Sequence, residues 1–280
     1  MKRRFARRAF AASWSAVFMA FLALAGCAGG PDSARQPAAA SGTELKDRIT
    51  ASDEPDAMKR ARTRTELAAA YFGRGQMATA LDQIKLAIQA DPTSSEAFNL
   101  RGLIYANLGD HALAEESFRH ALKLKPRDPD VMQNFGWYLC QQNRFAEADG
   151  FFNQALAVPQ YRGVARTLLA QGVCYAHGGQ LPEAEATLVR AYEIDPSSPF
   201  TATNLSEVLY RRGEFERARF YIRRVNSQAE VANAQTLWLA ARIENKLGNQ
   251  QGAAQFGNQL RNRFPDSREA AAYARSAFDD

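Results

Sequence analysis

The chain repeats itself, and this constrains it more than any other feature. Tyr71, Ala80, Ala87 and Pro92 return as Tyr105, Ala114, Ala121 and Pro126, all four displaced by the same shift. The frame continues through Gly136, Ala148 and Ala155 and, after a two-residue insertion, through Gly172, Tyr175, Ala184, Ala191 and Pro196. Ser206, Leu209 and Ala218 mark a fifth unit, and Ala241, Ala253 and Pro265 a sixth that runs one residue late. A unit this short cannot bury its apolar face alone, so a fixed period means one supersecondary unit stacked on copies of itself.

Within each unit the apolar residues follow helical spacing in two blocks. Small residues at positions 8, 20 and 27 let two helices approach, and large ones at 4, 11 and 24 fill the space between them. The second unit shows the whole set: Phe98, Gly102, Tyr105, Ala114, Phe118 and Ala121, with Pro126 ending the second helix. Between the blocks lie GRGQ, NLGD, QQNR, HGGQ, RRGE and KLGN, where Gly or Asn can take a positive φ and stop a helix. This pattern resembles the tetratricopeptide repeat (TPR). The fold expected is all-α, a right-handed TPR superhelix (α-solenoid) of six helix pairs with a C-terminal capping helix. The repeats run about 61–94, 95–128, 129–162, 165–198, 199–232 and 234–267, with the cap at 268–280 and the whole TPR domain at 56–280. Val225, Leu260, Gly257 and Glu230 break the consensus in repeats five and six, and looser packing is expected there.

Residues 1–26 are of another kind and read as a lipoprotein signal peptide. Lys2, Arg3, Arg4, Arg7 and Arg8 precede an almost wholly apolar run from Ala9 to Ala25, the layout of an export signal. Leu24-Ala25-Gly26-Cys27 resembles the lipobox of bacterial lipoproteins, which implies cleavage before Cys27 and lipidation of its thiol. The competing reading is an uncleaved anchor, although the apolar run is slightly short of the roughly 18 to 20 residues that span a bilayer. The general secretory route is favoured over a twin-arginine one. Ala28 in place of Asp favours the outer membrane by the sorting rule of enteric lipoproteins. Residues 27–55 then read as the lipidated cysteine and a flexible tether, since Ala28 to Thr43 is Ala, Gly, Pro and Ser without an apolar period. Ser52 or Asp53 is expected to cap the first helix, with Pro55 early in it.

Removing the leader also removes the basic excess. The chain has 35 Lys and Arg against 30 Asp and Glu, and all five charges of the leader are basic. The remainder is balanced, so its charge does not point to nucleic acid. His111, His120 and His177 lack ligand spacing, no Ser, His and Asp set or P-loop occurs, and neither an enzyme, a metal nor a cofactor is expected.

An array of this kind binds through its concave face, formed mainly by positions 2, 5, 9, 12 and 13 of each first helix. A partner-binding groove is expected from Phe72, Asn99, Leu103, Gln133, Asn134, Trp137, Leu169 and Val173: an apolar centre flanked by amides that suits an extended or helical peptide. Trp137 is readable equally as core. The Lys and Asn clamp of chaperone-binding TPR domains is missing, since Thr65 and Ala69 occupy its positions. Cys140 and Cys174 lie at similar heights on adjacent first helices. In an exported protein they can form a disulfide or remain two small buried fillers.

The stretch NFGWYLCQQNRFAEA (134–148), then FFNQALAVPQY and GVCYAHGGQLPEAEATLVRA, together with the lipobox and the final LRNRFPDS, resembles the PilF/PilW lipoproteins, the pilotins of type IV pilus biogenesis. The resemblance implies an outer-membrane lipoprotein, facing the periplasm, held by its lipid anchor and using its early repeats as the contact surface; the chain is expected to be monomeric. It further implies a scaffold that binds the secretin, the pilus exit pore, and promotes its outer-membrane localisation and multimerisation. A lipidated periplasmic adaptor for a cell-wall enzyme, or a subunit of an outer-membrane assembly complex, is the alternative reading.

Overall fold

Apolar residues three and four apart, interrupted by a turn residue that tolerates a left-handed backbone, should fold as helix pairs, and they do. The computed structural model describes residues 55–278, and the leader, Cys27, the tether up to residue 54 and the candidate caps Ser52 and Asp53 lie outside the described residues. The first helix begins at Asp56 with Pro55 itself at the cap position and no side-chain cap, not with Pro55 inside it behind Ser52 or Asp53. The described residues form thirteen helices and no strand. The first three pairs are α1 (Asp56–Gly73) with α2 (Met77–Ala90), α3 (Ser95–Leu108) with α4 (His111–Leu124), and α5 (Pro129–Gln141) with α6 (Phe145–Leu156). Then follow α7 (Val164–His177) with α8 (Leu181–Ile194), α9 (Pro199–Arg211) with α10 (Phe215–Asn226), and α11 (Ala234–Lys246) with α12 (Gln250–Arg263). A short α13 (Arg268–Ala274) closes the array. Each second helix packs on the next first helix, and the six first helices also touch in succession, which makes them the inner wall of a TPR superhelix.

The repeat pattern maps onto burial. Ala80, Ala114, Ala148, Ala184 and Ala218 are fully buried, and so are Ile84, Phe118, Phe152, Leu188 and Ile222 one turn later on the same helices. Close approach demands the small partners: a Cβ on Gly102 would lie 2.8 Å from the Phe118 ring. The turns work as their composition predicts. Gly109 closes α3 at φ 79°, and in the third pair Asn143 takes the equivalent place at φ 60°. Side-chain caps from Ser94, Asp110, Asp128, Ser198 and Ser267, plus a capping box between Asn233 and Thr236, satisfy orphan amides at about 1 kcal/mol each.

The looseness expected in repeats five and six is absent. Val225 and Leu260 are 3% and 0% exposed, and the largest apolar cluster runs through this end of the array. Gly257 leaves a gap at the large position 24, but α13 lays the Tyr273 ring over it so closely that a Cβ there would run into the ring. The missing side chain is thus supplied by the cap. The insertion after repeat three is also ordered: Gln160 turns at φ 59°, and the Tyr161 hydroxyl lies 3.0 Å from Thr167 Oγ1 at the start of α7.

Candidate peptide groove on the concave face

The centre of the inner wall is α5. Amide capping by Asp128 and the presence of Pro129 in the first turn fix where the helix begins, and hence which residues face the curve. Trp137 projects from its middle, half-buried, and lines a hollow on each side. The first, about 410 Å³, lies between α5, α7 and α9 and is lined by Gln133, Trp137, Arg166, Leu169, Ala170, Val173, Phe200 and Asn204. The second, about 400 Å³, lies between α1, α3 and α5 and is lined by Phe72, Leu103, Ala106, Asn107, Asn134, Trp137, Tyr138 and Gln141.

Seven of the eight groove residues expected from the sequence therefore border a hollow. Asn99 borders neither. Its Oδ1 accepts from Asn134 Nδ2 at 3.3 Å, so it orients a lining amide instead of facing a ligand. Cys140 shares the concave register but is 1% exposed, because it turns into the wall and is joined by a disulfide to Cys174 of α7, 4% exposed, with Cα atoms 5.7 Å apart. The bridge staples the two first helices whose faces form the first hollow.

Sequence reasoning missed Phe200, Asn204 and Tyr138. Phe200 is 72% exposed, the most exposed large apolar side chain among the described residues. It stands at position 2 of the fifth repeat, so the rule that located Trp137 reaches it once extended past repeat four. Tyr138 is signalled less clearly, since its ring belongs to the core beside Phe118 and Phe135 and only its edge meets the second hollow.

The polar groups around the groove are held in place. Tyr138 donates its hydroxyl proton to the His111 carbonyl at 3.0 Å, and burial, reinforced by the Glu115 carboxylate, pushes its pKa up. Arg144 bonds Glu115 at 2.6 Å and holds that carboxyl below its usual range. Behind the first hollow, Gln171 Nε2 donates to Asp149 Oδ1 at 2.7 Å and to Asn153 Oδ1 at 2.9 Å, tying α7 to α6. Burial, helped by a bond to Asp149, raises the Tyr175 hydroxyl to about 12, so it stays a donor. At the rim Arg166 pairs with Asp130, both exposed. No group of three or more His, Cys, Asp or Glu that could hold a metal occurs among the described residues. Nor is any helix among them long and apolar enough to cross a membrane. What the arrangement offers is apolar surface, two aromatic walls and amide side chains beside them.

Stacked helix pairs with a lined inner curve define a tetratricopeptide repeat scaffold, a class that works by holding other proteins, and tetratricopeptide-repeat family models match residues 93–160 and 134–199. The crystal structure of PilW, a widely conserved type IV pilus biogenesis factor, superposes with a TM-score of 0.71 at 34% identity, over 76% of this chain and 98% of that one. The chain belongs to the PilF/PilW family of type IV pilus biogenesis proteins. It is also 26% identical over 204 residues to the type IV pilus assembly protein PilF of Pseudomonas aeruginosa, covering 73% of this chain and 81% of PilF. A solved Pseudomonas aeruginosa PilF structure shares the fold with a TM-score of 0.68 at 23% identity, over 79% of this chain and all of that one.

Proposed function

We propose that this protein is a pilotin: an outer-membrane lipoprotein, lipidated at Cys27, whose groove captures a segment of the secretin and promotes its localisation and multimerisation. The observation that carries the reading is the pair of hollows flanking Trp137. An aromatic ridge between an apolar hollow and one of mixed polarity can seat side chains of one extended peptide on either side, while Gln133, Asn134 and Asn204 bond its backbone. Membership of a pilus biogenesis family supports the choice of partner.

The mechanism needs no catalysis. A lipid anchor and a groove on one chain make membrane arrival and partner capture one event, because tethering raises the local concentration of whatever the groove holds. Acyl chains contribute about 0.8 kcal/mol per buried methylene, so an acylated Cys27 carrying several chains is a lasting anchor. The disulfide and the Gln171 network keep α5 and α7 in place before binding, which lowers the ordering cost of capture.

The test is a pair of substitutions in piliated cells. Cys27→Ala should leave the repeats folded but release the protein from the membrane, with secretin multimers lost. Trp137→Ala should leave the protein at the membrane while weakening secretin co-purification about 30-fold, the loss of an aromatic anchor worth about 2 kcal/mol. Normal secretin multimers in both variants would overturn the proposal.

A further inference from the structure

The concave face continues to the distal end of the array, where the chain's own tail sits against it. After α13 the backbone reverses: Ser276 takes φ 55°, a left-handed conformation that a residue with a side chain adopts at a cost and that glycine usually supplies at a helix end. The turn is closed by Ser276 N–H to the Tyr273 carbonyl at 2.9 Å and by Ala277 N–H to the Ala272 carbonyl at 3.0 Å. It aims Phe278 back into the array. The Phe278 ring lies 5.3 Å from the ring of Trp238 and 5.9 Å, edge-on, from that of Tyr273. Its carbonyl accepts from Arg242 Nε at 3.2 Å, and the Arg242 guanidinium is itself steadied over the Tyr210 ring at 4.6 Å.

Two of these contacts repeat the logic of the groove. Trp238 and Arg242 stand at positions 5 and 9 of repeat six, the positions that Gln133 and Trp137 hold in repeat three and Leu169 and Val173 in repeat four. An aromatic side chain on an aromatic shelf, with its backbone carbonyl held by a side-chain donor, is how a repeat scaffold holds a foreign peptide. Phe278 packs, partly buried, on the apolar cluster of this end, yet α13 by itself already covers Gly257 with Tyr273 and buries Ala270.

We propose that the concave face around Tyr210, Trp238 and Arg242 is a second peptide site, built for an extended segment bearing an aromatic side chain, and that the chain's own Phe278 occupies it until such a segment displaces it. This goes beyond the secretin reading, since it uses neither hollow beside Trp137.

The test uses a chain ending at Arg275, which keeps α13, and a fluorescein-labelled peptide of residues 275–280 as probe. The shortened chain should bind the probe saturably, the full chain at least ten-fold more weakly, and Trp238→Ala in the shortened chain should remove binding while Trp137→Ala does not. No binding to the shortened chain, or binding insensitive to Trp238, overturns the proposal. Should the shortened chain not fold, Phe278→Ala in the full chain decides. Retained amide-exchange protection in α11 to α13 with gained probe binding supports a displaceable tail; retained protection without probe binding overturns it, and lost protection there makes Phe278 a structural part of the cap and sinks the idea.

Discussion

Opening the Cys140–Cys174 bridge should destabilise the array by an amount fixed largely by chain length. The bridge spans 34 residues and links α5 to α7. The loop-entropy relation gives a denatured-state constraint of about 4 kcal/mol at 25 °C for a loop of that size. For a domain of this size that corresponds to roughly 10 °C in melting temperature. The assay is urea unfolding followed by far-UV circular dichroism, with and without a phosphine reductant, and again for the Cys140→Ala/Cys174→Ala double variant. Both sulfurs are buried, so the double variant also loses some packing and should be no more stable than the reduced protein. Reduction should also steepen the dependence on urea, because an unbridged denatured chain exposes more surface. Midpoints equal with and without reductant would refute the reasoning, and would mean that packing of α5 on α7 already restrains the denatured chain as much as the covalent link does.

Three further outcomes follow from the geometry. Gly102→Ala forces a Cβ to 2.8 Å from Phe118 and should cost about 1–3 kcal/mol by overpacking, whereas Gly150→Ala on α6 meets no atom within 4 Å and should gain up to about 1 kcal/mol in helix propensity; thermal melts of the two compare them directly. Burial holds the Glu207 carboxyl above its ordinary value, against the pull of Arg242 and Arg211. The folded protein therefore keeps that proton better than the unfolded chain does, and stability drains away as pH climbs from about the ordinary value of 4.5 through the folded one. Glu207→Gln should accordingly melt higher than the parent at pH 7, with the gap closing below pH 4. Phe200→Ala should leave the melting temperature within about 2 °C, as expected of an exposed side chain, yet weaken partner capture measurably in a pull-down.

Most of the architecture was readable from the period, because small and large positions are set by helix contact within a single unit, and each unit repeats that contact. Phe118 against Gly102 is such a pair. What escaped was supplied from outside the unit. Gly257 reads as a packing defect until Tyr273 arrives from the cap, and no pattern within one repeat encodes that visit. Which side chains line the two hollows follows from the same logic as the core, through position along the first helix, and Phe200 falls in that register in the fifth repeat. Asn99 shows the opposite limit: position places a side chain on a face, but whether it meets a ligand or a neighbour depends on rotamers, here settled by its bond to Asn134.

The central claim is that the curve around Trp137 holds the secretin. A benzophenone amino acid placed at Phe200, beside the first hollow, and separately at Phe220, 61% exposed on α10 of the outer layer, compares the two faces under illumination in piliated cells. The account predicts a secretin adduct from position 200 that disappears with Trp137→Ala, and none from position 220. An adduct from position 220 alone, or one from position 200 that survives the loss of Trp137, would contradict it.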